Sequence, residues 1–266
     1  MISDLLRSTG NKSRIVLPIV VIPDNTEDIR ALSNTIEVCK ELNSINIPYM
    51  LIDNGKAEGS LAQRYNAINN SIVEDIQVIR GDFNSKTSLD NMDFNDSYKL
   101  FSCAGLLTIN KISGFKSTSL DKSSFDDLII KSIKESYNVQ LQKDKQIKKM
   151  GIILTVTKEM LELFDRNIPN VKKEIGIPKE LFLHINICEN DNDCSIITIL
   201  SGLSMPDDRL EEMIEIIESA KSNLTSTTTS NINDLASSID WLSSDDDEDD
   251  DDEELQNNFN DTLDRW

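Results

Sequence analysis

Two strand-length apolar runs, separated by one amphipathic stretch, constrain the fold of this chain more than any other feature of its sequence. The first run lies within residues 14–23, and the second is Pro48–Asp53, which Asn54-Gly55 stops. Between them, residues 26–42 repeat apolar side chains at helical spacing. Continuous apolar runs are typical of strands that are covered on both faces. We therefore predict a βαβ unit with a right-handed connection in a parallel sheet.

Polar residues follow both of these predicted strands. Asp24 and Asn25 come after the first strand, and Asp53-Asn54 closes the second. Ligands of open α/β folds bind outside the carboxyl ends of the strands. We therefore predict that these residues form a ligand-binding edge.

The rest of the chain predicts one long helix followed by an α+β region. The long helix covers residues 60–80, and its predicted core-facing stripe consists of Leu61, Tyr65, Ile68, Ile72 and Ile76. Further helices are predicted over residues 94–109, 124–137, 158–175 and 207–222. Strands are predicted over residues 150–156, 181–188 and 194–201, with the last two joined as a hairpin by the polar turn 189–193.

Residues 91–96 read Asn-Met-Asp-Phe-Asn-Asp and carry the chain's most informative spacing. If a helix begins here, Asp93 and Asp96 lie on one face of it. A carboxylate near the N-cap is favoured by the unpaired amides and by the helix dipole, so capping alone explains Asp93. The alternative interpretation, in which the two carboxylates serve chemistry, depends on the residues around them.

Acidic charge is concentrated near the end of the chain. Residues 223–266 carry 14 acidic residues and one basic residue, a net charge of −13, which leaves −7 of the chain's −20 for residues 1–222. Such a balance gives no basic surface for the phosphate backbone of nucleic acid, so we expect no nucleic-acid partner. We predict that residues 223–266 form a disordered acidic tail. The acidic block 245–254 is either a solubilising segment or, with its flanking aromatic residues, a docking segment for a basic adaptor.

Metal and redox chemistry have few residues to use in this sequence. The four cysteines include no C-x-x-C pair and His184 is the only histidine, so we predict no metal site and interpret His184 as a structural strand residue. Cys188 and Cys194 bracket a polar turn and could approach one another, but we expect reduced, buried thiols. Residues 1–14 lack the long apolar run of a signal peptide or a membrane span, so we expect a cytoplasmic protein with no membrane insertion.

The order of these elements resembles the tubulin/FtsZ superfamily of polymerising GTPases over about residues 14–222. Residues 91–96 are similar to the FtsZ-type loop that inserts acids into the nucleotide pocket of the next subunit. Asn54 is similar to the family's guanine-binding asparagine, and Tyr65 with Asn69 to its Tyr-x-x-x-Asn pair. A tyrosine face can stack on a purine, and asparagine amides can pair with a purine edge. Residues 197–203 resemble a strand and glycine turn of the family's C-terminal domain.

The resemblance implies an α/β fold class and a domain organisation. It gives an incomplete, Rossmann-like tubulin nucleotide domain over residues 1–59 and a long core helix over residues 60–81. An α+β activation domain then covers residues 82–222, and the disordered acidic C-terminal tail covers residues 223–266.

The resemblance also implies a function, that of a cytoskeletal GTPase that binds GTP or GDP with Mg²⁺. Its partners would be copies of itself or homologous subunits in a head-to-tail filament, in the cytoplasm of a bacterium or a phage-infected host. The residues that match the family's catalytic loop are Asp93 and Asp96, which would activate hydrolysis in the adjacent subunit, and Asn91, which would position the loop. The implied nucleotide-binding residues are Asn54, Tyr65, Asn69, Asp24 and Asn25.

One departure from the family concerns phosphate binding. The family cradles phosphates with a glycine-rich loop, because only glycine lets several backbone amides approach the anion. The nine glycines here are scattered at positions 10, 55, 59, 81, 105, 114, 151, 176 and 202. We therefore expect a tubulin-type chain that lacks the N-terminal part holding most phosphate and Mg²⁺ contacts, and that does not hydrolyse GTP alone. The alternatives are a non-enzymatic truncated homologue that binds or caps filaments of a complete partner, and an interaction protein that works through its tail.

Overall fold

A computed structural model describes residues 15–81, 88–116, 121, 124–139 and 146–238. The strands are β1 Ile19–Ile22, β2 Pro48–Asp53, β3 Ser88–Asp90, β4 Gly105–Ser113, β5 Lys149–Val156, β6 Glu180–Ile187 and β7 Ser195–Leu203. The helices are α1 Ile29–Ser44, α2 Leu61–Ile79, α3 Phe94–Phe101, α4 Ser124–Glu135, α5 Lys158–Leu161, α6 Pro169–Glu174 and α7 Asp207–Ser238. Short 3₁₀ turns occupy Asn54–Lys56 and Asp191–Asp193.

The seven strands form one mixed sheet in the order β1-β2-β4-β7-β5-β6-β3. Strands β1, β2 and β4 pair in parallel, β7 runs antiparallel to both of its neighbours β4 and β5, and β5 pairs in parallel with β6. The short strand β3 closes the far edge, antiparallel to β6. The predicted βαβ unit is confirmed, since α1 connects the parallel strands β1 and β2.

Both faces of the sheet are covered, as the continuous apolar runs predicted. Strand β2 is buried along its whole length, and its side chains alternate between two cores. Tyr49 and Leu51 join a core with residues of α1, α4 and α7. Met50 and Ile52 join a second core with residues of α2 and α3. The chain divides into two compact units, Met1–Glu218 and Ser219–Trp266, and both cores belong to the first.

The structure corrects the predicted helix over residues 94–109. Helix α3 ends at Phe101, and a strand begins at Gly105. Gly105 has a φ of +117°, and a Cβ there would lie 2.6 Å from the main-chain oxygen of Leu203. This glycine therefore turns the chain into a β-branched, apolar run that suits a strand better than a helix.

The predicted hairpin between the last two strands is wrong. Strands β6 and β7 do not pair, because β5 lies between them and pairs with both. The turn at residues 189–193 therefore connects β6 to β7 across the end of β5, which lies between them. A polar turn between two apolar runs cannot distinguish these topologies, since both leave the runs buried.

The predicted helix over residues 158–175 is two short helices, α5 and α6. Ile168 adopts a left-handed conformation with a φ of 42°, and Pro169 begins α6. Proline suits the first position of a helix and cannot continue one through its interior, so the chain restarts there.

The sequence predicts a helix over residues 207–222 that is followed by a disordered acidic tail over residues 223–266. Instead α7 continues to Ser238. The stretch contains no glycine or proline, the residues that most strongly stop a helix. The acidic block 245–254 lies outside the described residues.

Candidate functional site

The two acids of the 91–96 segment stand at the start of α3. Asp93 is the N-cap, and its Oδ1 accepts a hydrogen bond from the main-chain N–H of Asp96 at 2.8 Å. Asp96 lies in the first turn, where its Oδ1 is 3.6 Å from Nζ of the exposed Lys99. Asp93 is exposed and Asp96 half-buried. The cap uses one oxygen of Asp93, so capping and a further role for the carboxylate are compatible.

Three contacts anchor this acidic segment to the sheet. Strand β3, which ends at Asp90, pairs with β6 just before the segment. The side chain of Met92 is 5% exposed and packs into the second core. The main-chain N–H of Met92 donates to Nδ1 of His184 at 3.1 Å, beneath the surface. The acids are therefore presented from a fixed main chain.

An exposed aromatic residue stands between the two acids. Phe94 is 79% exposed, which is the largest exposed fraction of any large apolar residue in the described part of the chain. Its ring lies 6.3 Å from that of Tyr98, one turn further along α3. Exposed aromatic residues beside charged groups are typical of surfaces that contact another protein. Asn91 is also exposed, so the segment offers both polar and apolar contacts.

At the other edge of the sheet, two arginines from helices contact residues at the ends of β1 and β2. Arg209 of α7 reaches Asp53 with two nitrogens, at 3.1 and 3.4 Å, and donates to the carbonyl oxygen of Pro23 at 3.0 Å. It also bonds the side chain of Asn25. This polar network ties the start of α7 to both strand ends.

Arg64 of α2 forms the second link, an ion pair with Asp24 at 3.0 Å. Hydrogen bonds from the side chain and main chain of Thr26 hold the pKa of Asp24 below its ordinary value, and the nearby Arg64 lowers it further. Asp24 is therefore ionised at neutral pH, and its charge is balanced within the chain.

The predicted guanine-binding residues occupy different environments. Asn54 is 3% exposed and its Nδ2 donates to Glu27 at 3.0 Å, while its Oδ1 is buried and has no partner in the described part of the chain. Tyr65 is 43% exposed, and Asn69 is exposed one turn later on the same flank of α2. Tyr65 and Asn69 are thus accessible together, whereas Asn54 points inward.

These residues fit part of a guanine nucleotide. The accessible pair Tyr65 and Asn69 can stack on and pair with a base, whereas the unpaired Oδ1 of Asn54 is buried and is not accessible to one. The phosphates are not matched in the same way. The cations at this edge are already engaged, since Arg64 and Arg209 pair with carboxylates and Nζ of Lys56 donates to two main-chain oxygens. The chain's glycines form no cluster. In the described residues, the edge fits a base and does not fit a triphosphate.

The structure keeps the two groups of predicted site residues apart. Asn54 follows β2, and the acidic segment follows β3, five strand positions away in the same sheet. At about 4.8 Å per strand, this separates them by roughly 24 Å. Asp93 and Asp96 therefore cannot act on a base held at Asn54 of the same chain.

Sequence reasoning missed the residues that organise both edges. Arg209 was not singled out, although it is the only basic residue within 207–218 and stands among acids, which is a recognisable signal. His184 is confirmed as a buried strand residue, but its bond to the acidic segment has no signal in the sequence. Their contacts join positions far apart in the chain.

The described residues contain neither a metal-binding cluster nor a membrane-spanning helix. Within the described residues, no three histidine, cysteine or acidic side chains come together as metal ligands. None of the described helices combines the length and the apolar character that crossing a membrane requires.

No family model and no curated protein matches the sequence. Similar solved structures include CetZ from Methanosaeta thermophila strain DSM 6194, with a TM-score of 0.64 and 17% identity over 100% of this chain and 69% of CetZ. TubZ of Bacillus thuringiensis serovar israelensis, in GDP-form protofilaments, gives a TM-score of 0.68 and 16% identity over 89% of this chain and 65% of TubZ. TubZ of Clostridium botulinum phage c-st gives a TM-score of 0.58 and 19% identity over 82% of this chain and 65% of TubZ.

The chain therefore spans 65% of the length of either TubZ protein. At identities of 16–19% the likeness is one of fold. TubZ and CetZ are members of the tubulin/FtsZ superfamily, and the chain described here has the fold of that superfamily.

Proposed function

We propose that this chain is a subunit of a tubulin-like filament that presents Asp93 and Asp96 to the guanine nucleotide of an adjacent subunit, in the cytoplasm of a bacterium or a phage-infected host. The observation that carries the proposal is the anchored acidic segment, in which two carboxylates flank an aromatic side chain that is 79% exposed. TubZ of Bacillus thuringiensis, which shares the fold, forms protofilaments and four-stranded helical filaments.

The separation of the two edges favours action between subunits. One edge carries the accessible pair Tyr65 and Asn69, and the opposite edge carries the acids. In a head-to-tail filament, the acidic edge of one subunit meets the nucleotide edge of the next. Turnover then requires assembly, because neither subunit holds both groups at one nucleotide.

The chemistry asked of the acids is modest. A carboxylate at the subunit junction can accept a hydrogen bond from a water molecule and orient it towards the terminal phosphate. The capping bond leaves Asp93 a second carboxylate oxygen for this task. Asn91, exposed at the start of the segment, would position it. The phosphates and Mg²⁺ would be held by a subunit that carries a glycine-rich loop, and Asp24 and Asn25 would border the nucleotide.

GTP turnover in mixtures of subunits tests the proposal. TubZ of Bacillus thuringiensis at a fixed concentration supplies the phosphate-binding edge, and the present chain is added in increasing amounts, with the chain alone as a blank. We expect turnover to rise with the added chain. The double variant Asp93→Asn/Asp96→Asn should lose about 100-fold of that stimulation, the size of a general acid–base contribution.

The asparagine substitutions are chosen because asparagine also caps helices, so α3 should stay folded. Asp127→Asn, which removes an exposed acid on α4, is the matched control and should stimulate like the wild type. Stimulation that survives the double substitution would contradict the proposed role of the acids.

A second candidate function is that of a non-enzymatic capping protein. It is favoured by the absence of a phosphate-binding feature at the described nucleotide edge, so that the chain offers a filament only its acidic edge. Substoichiometric chain should then shorten TubZ filaments in electron micrographs without raising turnover. Longer or unchanged filaments with raised turnover would exclude capping.

The acidic block 245–254 and the end segment to residue 266 lie outside the described residues, and their role is a separate proposal. A basic adaptor would bind here through charge and flanking aromatic side chains. Removal of residues 245–266 should alter filament bundling or adaptor binding and leave the stability of residues 15–218 unchanged.

A further inference from the structure

A buried imidazole accepts a hydrogen bond from the main chain of the acidic segment, residues 91–96. His184 lies in β6 with no exposed surface. Its Nδ1 is 3.1 Å from the main-chain nitrogen of Met92, and its Nε2 is 3.0 Å from Oδ1 of Asn186, which is 3% exposed. Both ring nitrogens are therefore engaged, one by the segment and one by the sheet.

These two contacts fix the protonation of the ring. A main-chain N–H can only donate, so Nδ1 of His184 accepts and carries no proton. The ring proton is then on Nε2, from which it donates to Oδ1 of Asn186. Burial lowers the pKa of His184, although the bond to Asn186 and the charge of Asp90 act in the opposite direction. The ring is thus neutral near pH 7, the form in which it can accept from Met92.

We propose that His184 is a positioning residue for Asp93 and Asp96, which it serves by accepting the main-chain N–H of Met92 and so fixing the direction in which the acidic segment leaves the sheet. The inference rests on the proposed function of the two acids. It assigns the imidazole no contact with the nucleotide and no proton transfer.

The position of the bond explains why it controls the segment. Pairing between β3 and β6 ends at Asp90, and α3 begins at Phe94. In the intervening stretch Met92 is the buried residue, between the exposed Asn91 and Asp93. Without an acceptor, its buried N–H would have to turn towards water, because an unpaired buried donor is costly. The N-cap that follows directly would move with it.

Two substitutions separate the acceptor from the bulk of the ring. His184→Asn keeps an oxygen close to the position of Nδ1 but removes part of the ring volume. His184→Leu keeps apolar volume in the core but offers no acceptor. A purely structural role in packing predicts that His184→Leu is the milder change, and the positioning role predicts the reverse.

The first readout is amide hydrogen exchange at Met92 in the isolated full chain, which requires neither nucleotide nor filament. The reference is the amide of Leu107, a buried residue of β4. Relative to this reference, we expect His184→Leu to accelerate exchange at Met92 at least 10-fold and His184→Asn to change it less than 3-fold. Equal exchange in the two variants, or faster exchange in His184→Asn, would overturn the proposal.

The second readout is stimulation of GTP turnover in the TubZ mixture. We expect His184→Leu to lose at least 10-fold of the wild-type stimulation and His184→Asn to retain most of it. Full stimulation by His184→Leu would also overturn the proposal. If the wild type itself gave no stimulation, the proposed function would fail, and the exchange measurement would still decide whether His184 holds the segment.

Discussion

Asp75 is an acidic residue on the buried flank of α2. It is 6% exposed, and its Oδ2 has no hydrogen-bond partner in the described part of the chain. Its pKa is raised to about 7, mainly by burial and also by the charge of the neighbouring Glu74, while Lys111 acts in the opposite direction. The unfolded chain therefore releases this proton near pH 4, and the folded chain near pH 7.

This difference predicts how stability depends on pH. Between about pH 4 and pH 7 the folded state binds the proton that the unfolded state has lost, so the free energy of unfolding falls as pH rises and levels off above pH 7. Asp75→Asn should remove this component, so that its free energy of unfolding exceeds that of the wild type by about 4 kcal/mol above pH 7. Urea unfolding from pH 4 to pH 8 measures it. The control is Glu58→Gln, which removes an exposed carboxyl group that does not contact Asp75. Equal pH dependence in wild type and Asp75→Asn would contradict the account.

Cys188 and Cys194 carry a second residue-scale prediction. Their sulfur atoms are 3.6 Å apart in the free-thiol state, roughly 1.6 Å more than a disulfide bond. We expect the mild oxidant diamide to take two electrons and two protons from this pair and join it, with diamide reduced to the hydrazine. Mass spectrometry after alkylation should then show that neither Cys188 nor Cys194 is alkylated, because both are held in a disulfide. Cys188→Ser should form no such disulfide. Two alkylated thiols at these positions after oxidation would contradict the expectation.

At the scale of elements, apolar runs predicted the strands and helices well, but not which side of a helix is buried. The stripe predicted to pack from α2 contains Leu61, Tyr65 and Ile76, which are 55%, 43% and 42% exposed. Of the same stripe, Ile68 is buried and Ile72 packs against the second core, as predicted. The helix also buries Asp75 and Val78, which lie outside the predicted stripe. The apolar arc of α2 is wider than the flank that meets the sheet, and periodicity alone cannot say which part of a wide arc is covered.

The ends of elements depended on single residues that periodicity does not weigh. Gly105 ends the turn after α3 and begins β4 because only glycine fits beside Leu203. Pro169 divides the predicted helix over residues 158–175. Strand β5 lies between β6 and β7 and pairs with both of them. These pairings join positions far apart in the chain, and the apolar sequences carry no local signal for which strand pairs with which.

The conformation of Gly105 gives an element-scale prediction. Gly105→Ala combines a φ of +117° with a Cβ 2.6 Å from a backbone oxygen, so it should lower the free energy of unfolding by about 2–4 kcal/mol. Gly114 is the matched control, because its φ is +75° but nothing lies within 4 Å of the added Cβ. Gly114→Ala should lower the free energy by only about 1 kcal/mol. Equal losses in urea titrations would show that the contact with Leu203 does not matter.

At the scale of the whole molecule, one sheet carries two edges with different chemistry. The β1–β2 edge holds an internally balanced polar network and an accessible tyrosine–asparagine pair, and the β3 edge holds the acidic segment. The sequence identified the candidate residues Asn54, Tyr65, Asp93 and Asp96 by spacing and resemblance. The resemblance implied that the acids serve an adjacent subunit. The contacts of Arg64, Arg209 and His184 could not be predicted, because each joins positions far apart in the chain.

The structure of an assembled filament tests the central claim most directly. Polymers formed with GTP, by the chain alone or mixed with TubZ of Bacillus thuringiensis, would be examined by electron cryomicroscopy. We expect Asp93, Phe94 and Asp96 to be buried at the junction between successive subunits, with the carboxylates facing the neighbour's nucleotide. A filament in which these three residues remain exposed to solvent, with the junction formed elsewhere, would contradict the account.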